Sequence, residues 1–288
     1  MAGMSEFRIG CAVWSYRGWL GTFFPVGSSS QDFLRLYGDR LRTVEGNTTF
    51  YAVPSEITVS RWRVKTPKDF RFCLKFPRTV THQGLLVPQL KIAKEFLERV
   101  KPLGDRLGCV FAQLPPSYSP AQFTDLQTFF HELANFGVQF GLETRHLHWF
   151  QEPHNTNLIN WLTTENITKV LLDTRSIYNC PDNPQANSKR RKPNVPLYPV
   201  STSNQVIIRF ISHPTYSYSE PYLDMWVKQL KQWLDEDKQI YFFVHCPIED
   251  YSPAIAKKFQ HKLEAAQLQI PPLPWQKLPA EPQQLNLF

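Results

Sequence analysis

Glycine is scarce. The 12 glycines in 288 residues form neither a Gly-x-Gly-x-x-Gly run nor a Walker-type phosphate loop, which weighs against a nucleotide-binding open sheet. No Gly-x-Ser-x-Gly elbow occurs, so nucleophilic catalysis by serine is poorly supported. The five cysteines (Cys11, Cys73, Cys109, Cys180 and Cys246) are odd in number and lack metal-ligand spacing. All but Cys180 lie inside β-like runs and read as small core residues of a reduced, cytoplasmic protein. The opening "MAGMSEFRIG" has no cationic stretch followed by a long apolar one, so no signal peptide is expected. No run approaches the roughly 18 apolar residues that would cross a bilayer. A membrane partner is therefore not expected. No Asn-Gly or Asp-Gly hairpin joins neighbouring β-like runs, so the strands are expected to be parallel.

What is present supports a large buried core. Hydrophobic residues make up 42% and aromatics 14%, with a net charge of +7 and a pI near 9.1. The positive surplus suits an anionic partner such as nucleic acid without proving one. Eight β-rich runs recur: 7–14, 43–49, 70–76, 107–114, 138–145, 169–175, 205–213 and 239–246. Their starts lie roughly 27 to 37 residues apart, the period of a βα unit. Between them, Leu223, Trp226, Leu230, Trp233 and Leu234 mark one helical face, and Ser119-Pro120 and Ser252-Pro253 read as helix starts. The reading is an α/β (β/α)8 TIM barrel in a single domain over residues 1–269. A proline-rich tail follows at 270–288. A doubly wound open sheet is the alternative.

In a TIM barrel the C-terminal strand ends carry the site. Those ends supply Trp14, Glu45, Asn47, Lys75, Gln113, Glu143, Arg145, Asp173, Arg175, Arg209, His213 and His245. Charges there are costly to bury unless they pair or bind something. One reading is an ion-pair lattice. The other is a reaction centre with Glu45, Glu143, Asp173, His213 and His245 as acid and base groups, and with Lys75, Arg145 and Arg209 holding a phosphate or carboxylate. No cofactor motif is visible. The set could hold a divalent metal, but no His-x-x-x-His or paired-Cys spacing anchors one. His146 and His148 in "RHLHW" suit a helix cap, and His131 and His261 a helix surface.

"TVEGNTTFYAVP" (43–54), "FRFCLKFPRTVTH" (70–82), "FAQLPPSYS" (111–119), "ETRHLHW" (143–149) and the opening "IGCAVWSYRGWLGTFFP" (9–25) resemble the domain-of-unknown-function 72, or YecE-like, family. The similarity runs over roughly residues 7–265 in this reading. It implies a TIM barrel related to the xylose-isomerase-like and apurinic-endonuclease barrels, with no firmly assigned activity. It marks Trp14, Tyr16, Asn47, Tyr51, Lys75 and His82 as binding positions, together with Gln113, Arg145 and Trp149. Glu45, Thr49, Phe50, Thr81, Glu143 and Asp173 are marked as well. The last third departs from the family pattern: "RFISHP" (209–214) and "HCPIEDYSPAIA" (245–256) put histidines where that family carries amides.

Two segments point to partners. The loop 180–204 is rich in Pro, Asn and Ser and carries Lys189, Arg190, Arg191 and Lys192, a run suited to a phosphate backbone. The chain closes on "QLNLF", which resembles the peptide by which bacterial replication and repair proteins hook onto the DNA sliding clamp, with Gln284, Leu285, Leu287 and Phe288 as contacts. The expectation leans toward a hydrolase-like enzyme acting on nucleic acid by phosphodiester or abasic-site chemistry, recruited to the clamp. The alternatives are an isomerase or lyase of a small phosphorylated or carboxylated sugar, and a non-catalytic clamp-associated module.

Overall fold

The computed structural model describes residues 6–186 and 191–277. Eight parallel strands close in sequence order into one barrel. They are β1 (Glu6–Cys11), β2 (Thr43–Gly46), β3 (Arg71–Lys75), β4 (Leu107–Gln113), β5 (Phe140–Glu143), β6 (Thr168–Asp173), β7 (Gln205–Ile211) and β8 (Gln239–His245). The seam is continuous: β1 runs beside β8 from Glu6↔Gln239 to Cys11↔Val244. This bears out the barrel and removes the open-sheet alternative. β1 and β2 approach so closely that a Cβ at Gly10 would sit 2.0 Å from the Thr43 carbonyl oxygen, which explains glycine there.

Strand alternation sorts the side chains into two cores. Outward-facing residues join the helices in a large apolar shell. The helix Glu220–Asp235 buries the five residues its periodicity marks, and Ser119 closes a capping box with Gln122. At Ser252 the expectation fails. Tyr251 takes the cap position, and Ser252 is the first helical residue. Inside the barrel, Cys73, Cys109, Phe111, Val170, Ile207, Tyr241 and Phe243 form a separate packed plug. Cys11, Cys73, Cys109 and Cys246 are buried, as their β-runs implied.

The proline-rich segment does not leave the barrel at residue 270. Leu273 is buried, Trp275 packs on Phe23 with ring centroids 4.9 Å apart, and the Trp275 amide donates to the Arg40 carbonyl. Arg40 precedes β2, so this docking lies at the end of the barrel opposite the C-terminal strand ends. Residues 278–288, including the clamp-like ending, lie outside the described residues, as do Lys189 and Arg190. Among the described residues no helix is long and apolar enough to cross a membrane.

Candidate functional site

Above the apolar plug the barrel interior turns ionic. On β2, β3, β4, β5 and β8 the inward positions end in Glu45, Lys75, Gln113, Glu143 and His245, and on β7 Arg209 is the inward residue before the last, Ile211; all are buried. Arg209 organises them. Its Nε and Nη2 donate to Glu45 at 2.7 and 2.9 Å, and its Nη1 donates to Glu143 at 2.5 Å. Lys75 donates to Glu45 at 2.9 Å and to Gln113 at 3.0 Å. Arg145 donates to the other Glu143 oxygen at 2.7 Å. The ion-pair lattice therefore exists, and it satisfies both carboxylates.

Pairing fixes the charge states. Burial alone would raise both carboxyls, but Arg209 and Lys75 hold Glu45 well below the usual range, and Arg209, Arg145 and Lys75 hold Glu143 at about 2. Neither can act as an acid near neutral pH. Burial pushes His245 down to about 3 despite its contact with Glu45, so its ring is neutral. Its Nε2 lies 2.8 Å from the ionised Glu45 oxygen and must carry the ring proton, which leaves Nδ1 as its basic atom. Burial, with Arg209 beside it, brings Lys75 down to about 7.

Over this lattice opens a cavity of about 630 Å³. Lys75, Gln113, Arg145 and His245 line its base, while Asn47, Tyr51 and His82 line its wall. Asn47 donates to the Ala12 carbonyl at 2.7 Å, and Tyr51 is 57% exposed. Arg78, Arg191 and Lys192 add three cations, so half of the basic run, the half the structure describes, reaches the cavity. The field is felt at His82, which is lowered to about 4 by burial and then by Arg145, Arg78 and Lys75. Lys192 is lowered to about 8, first by burial and then by Arg209. The remaining side of the mouth is apolar, closed by Leu172, Ile177, Ile211 and the loop residue Val195.

Glu249 is the residue the sequence did not single out. It follows β8 in a short 3-10 turn and lines the cavity. Burial pushes its carboxyl up to about 8, so it is largely protonated at neutral pH. Arg78 was also missed. It sits at the start of the turn Arg78–Thr81, where no strand periodicity reaches.

Several expected site residues lie elsewhere. Asp173 faces outward, because Val170 belongs to the inner plug and alternation then turns Asp173 toward the helices. There it accepts from Trp226 Nε1 at 2.8 Å and from Arg175 at 2.9 and 2.8 Å. His213 does not share the inward side of Arg209, since β7 ends at Ile211. Its Nε2 instead meets Asp182 at 2.9 Å. Trp14 packs edge-on against Trp62 and Phe72, and Trp149 is buried against Phe123 with Nε1 donating to the Tyr118 carbonyl. Tyr16 donates to Asp250 at 2.7 Å. None of these five is among the residues lining the cavity. His146 caps the 3-10 turn Leu147–Phe150, and His131 and His261 are exposed on helices, as read.

Comparison with known proteins agrees with the fold and with the motifs. The family model described as "Protein of unknown function DUF72" matches residues 8–281, some way past the end of the similarity read from the motifs. The chain is 32% identical over 283 residues to the UPF0759 protein YecE of Escherichia coli K12, covering 97% of this chain and 99% of that protein. The UPF0759 protein YunF of Bacillus subtilis is 24% identical over 152 residues, half of this chain and 53% of its own length. Among solved structures, a DUF72 family protein of Enterococcus faecalis superposes with a TM-score of 0.67 at 17% identity, covering 91% of this chain and 99% of its own. One from Thermotoga maritima gives 0.66 at 21% identity, with 90% and 99% covered. These likenesses establish the fold.

Proposed function

This chain belongs to the DUF72 family, and we propose that its barrel mouth binds the phosphate or carboxylate of a sugar-sized substrate and moves a proton on it. One observation carries the reading. Lys75, Arg78, Arg145, Arg191 and Lys192 converge on a single cavity where, among the described residues, the one lining carboxyl, Glu249, is largely protonated. The ionised carboxylates, Glu45 and Glu143, are already held by Arg209, Lys75 and Arg145, so Arg78, Arg191 and Lys192 are the cations beyond the lattice that favour an anionic ligand. Arginine suits this task through its planar fork.

Acid and base groups stand beside the same cavity. Glu249 can donate a proton, and Lys75, brought down to about 7, can accept one in its neutral form. A volume of about 630 Å³ falls within the range of small-ligand sites and is far too small for a duplex. An isomerase or lyase fits these parts better than the nucleic-acid reading favoured from the sequence. Exposed Arg191 at the rim supports a second reading, in which one unpaired nucleotide enters the cavity and the basic run follows the strand beyond it. Recruitment to a sliding clamp by Gln284–Phe288 belongs with that second reading.

Calorimetric titration with inorganic phosphate, a pentose phosphate and a short single-stranded oligonucleotide, each at low and high salt, tests both. Sugar-phosphate binding that weakens at least about tenfold in Arg145→Ala and Lys192→Ala supports the first. Oligonucleotide binding with a steep salt dependence and no sugar-phosphate binding supports the second. If no anion binds, or if both variants bind as the parent does, the cavity is not an anion site.

A further inference from the structure

Cys180, Asp182 and His213 stand apart from the cavity, and we propose that they form a binding site for a zinc-class transition-metal ion. Their ligand atoms (a thiol sulfur, a carboxylate oxygen and an imidazole nitrogen) all lie within 4.8 Å of one another. Ligands around tetrahedral zinc, with bonds of about 2.0 to 2.3 Å, stand roughly 3.3 to 3.8 Å apart, so Asp182 and His213, now 2.9 Å apart, must part slightly and the Cys180 sulfur need move in by no more than about 1.5 Å. The parts that would move are free to do so: Asp182 is exposed and Cys180 half-exposed on a loop, while buried His213 supplies the fixed point. Mixed sulfur, nitrogen and oxygen donors select zinc-like ions over magnesium or calcium, which take oxygen alone. Three protein donors leave one coordination position to water.

The surroundings of His213 suit a ligand. At present the Thr215 amide donates to Nδ1 at 2.8 Å, so Nε2 carries the proton and donates it to Asp182. The Thr215 carbonyl oxygen lies 3.3 Å from the same Nδ1. Moving the ring proton to Nδ1, with the Thr215 carbonyl as acceptor, would free Nε2 for a metal, the backbone arrangement that commonly orients ligating histidines. That change gives up the Thr215 amide bond. The thiol proton leaves Cys180 on binding, because the thiolate is the ligand.

The site has a structural consequence. Cys180 and Asp182 begin the loop that carries Arg191 and Lys192, and Gln185 already accepts the Lys192 amide at 2.7 Å. A metal bridging Cys180 and Asp182 to His213 would pin the start of that loop to the end of β7. The inference rests on the trio's own geometry and stands whether or not the cavity binds an anion.

Cobalt(II) titration of the full chain, first freed of metal with a chelator, tests it. One equivalent should produce a sulfur-to-cobalt charge-transfer band in the near-ultraviolet that zinc displaces. The band should vanish in Cys180→Ser, and cobalt should bind more weakly in Asp182→Asn and His213→Gln. Far-ultraviolet circular dichroism confirms that each variant is folded. The absence of a thiolate band in the parent, or its persistence in Cys180→Ser, would overturn the site.

Discussion

Arg209 and Glu45 are 164 residues apart in the chain and form a two-pronged ion pair at 2.7 and 2.9 Å in the barrel interior. The same guanidinium reaches Glu143 through its third nitrogen. Removing it leaves two buried carboxylates short of a partner. Arg209→Met is therefore expected to lower unfolding free energy by about 3 to 5 kcal/mol, measured by denaturant titration. Arg209→Lys should recover only part of this, since an ammonium cannot satisfy both carboxylates with the same fork. A variant as stable as the parent would show that the lattice adds nothing to the fold.

The lattice also sets an acid limit. Glu143 is held at about 2, against an ordinary value of 4.5 for its carboxyl. Its folded pKa is depressed, so its contribution is present above about 4.5 and is lost as pH falls toward 2. Melting temperature should fall steeply across that window, and Glu143→Gln should flatten the fall while lowering stability near neutral pH. An unchanged acid slope in Glu143→Gln would assign the limit to other carboxyls.

On the basic side the charge of the cavity itself changes. Lys75 loses its proton near pH 7 and Lys192 near 8, while Glu249 becomes charged near 8. All three changes oppose an anion. Phosphate affinity, read by calorimetry, should fall between pH 7 and 9, and Glu249→Gln should blunt the upper part of that fall. A flat profile would mean that the anion is held by arginines alone.

How much of this was legible in the sequence depends on strand parity. Glu45, Glu143 and Arg209 were found because each lies inside a strand whose alternation carries it inward. Asp173 obeys the same rule in the opposite sense: Val170 is inward, so Asp173 is outward against Trp226. The signal was present in "KVLLD", but polarity at a strand end outweighed parity. His213 was extrapolated two residues beyond the end of β7, where alternation no longer holds. Glu249 and Arg78 sit in short turns after their strands, and nothing periodic points to them. Only the closed ring brings them over the mouth.

The aromatics give a matching pair of expectations. The family resemblance marks Trp149 as a binding position, yet it is buried with its indole nitrogen bonded to the Tyr118 carbonyl. Trp149→Ala should cost about 3 to 5 kcal/mol of stability, seen as a large drop in melting temperature. Tyr51, exposed at the cavity wall, should behave oppositely. Tyr51→Ala is expected to leave the melting temperature within a degree or two, on the order of 0.5 kcal/mol, and to weaken ligand binding. A stable Trp149→Ala would contradict its core placement.

The chain's end separates docking from recruitment. Leu273 and Trp275 pack on the barrel, with Lys257 lying 4.4 Å from the centre of the Trp275 ring. Truncation after residue 270 should therefore lower the melting temperature, through loss of about 2 to 4 kcal/mol of apolar packing. Deleting residues 284–288 alone should leave the melting temperature unchanged and abolish co-purification with the sliding clamp, if the proposed hook acts as a peptide in a preformed groove. The opposite pattern, a destabilised short deletion that still binds the clamp, would assign Leu285, Leu287 and Phe288 to the protein's own packing.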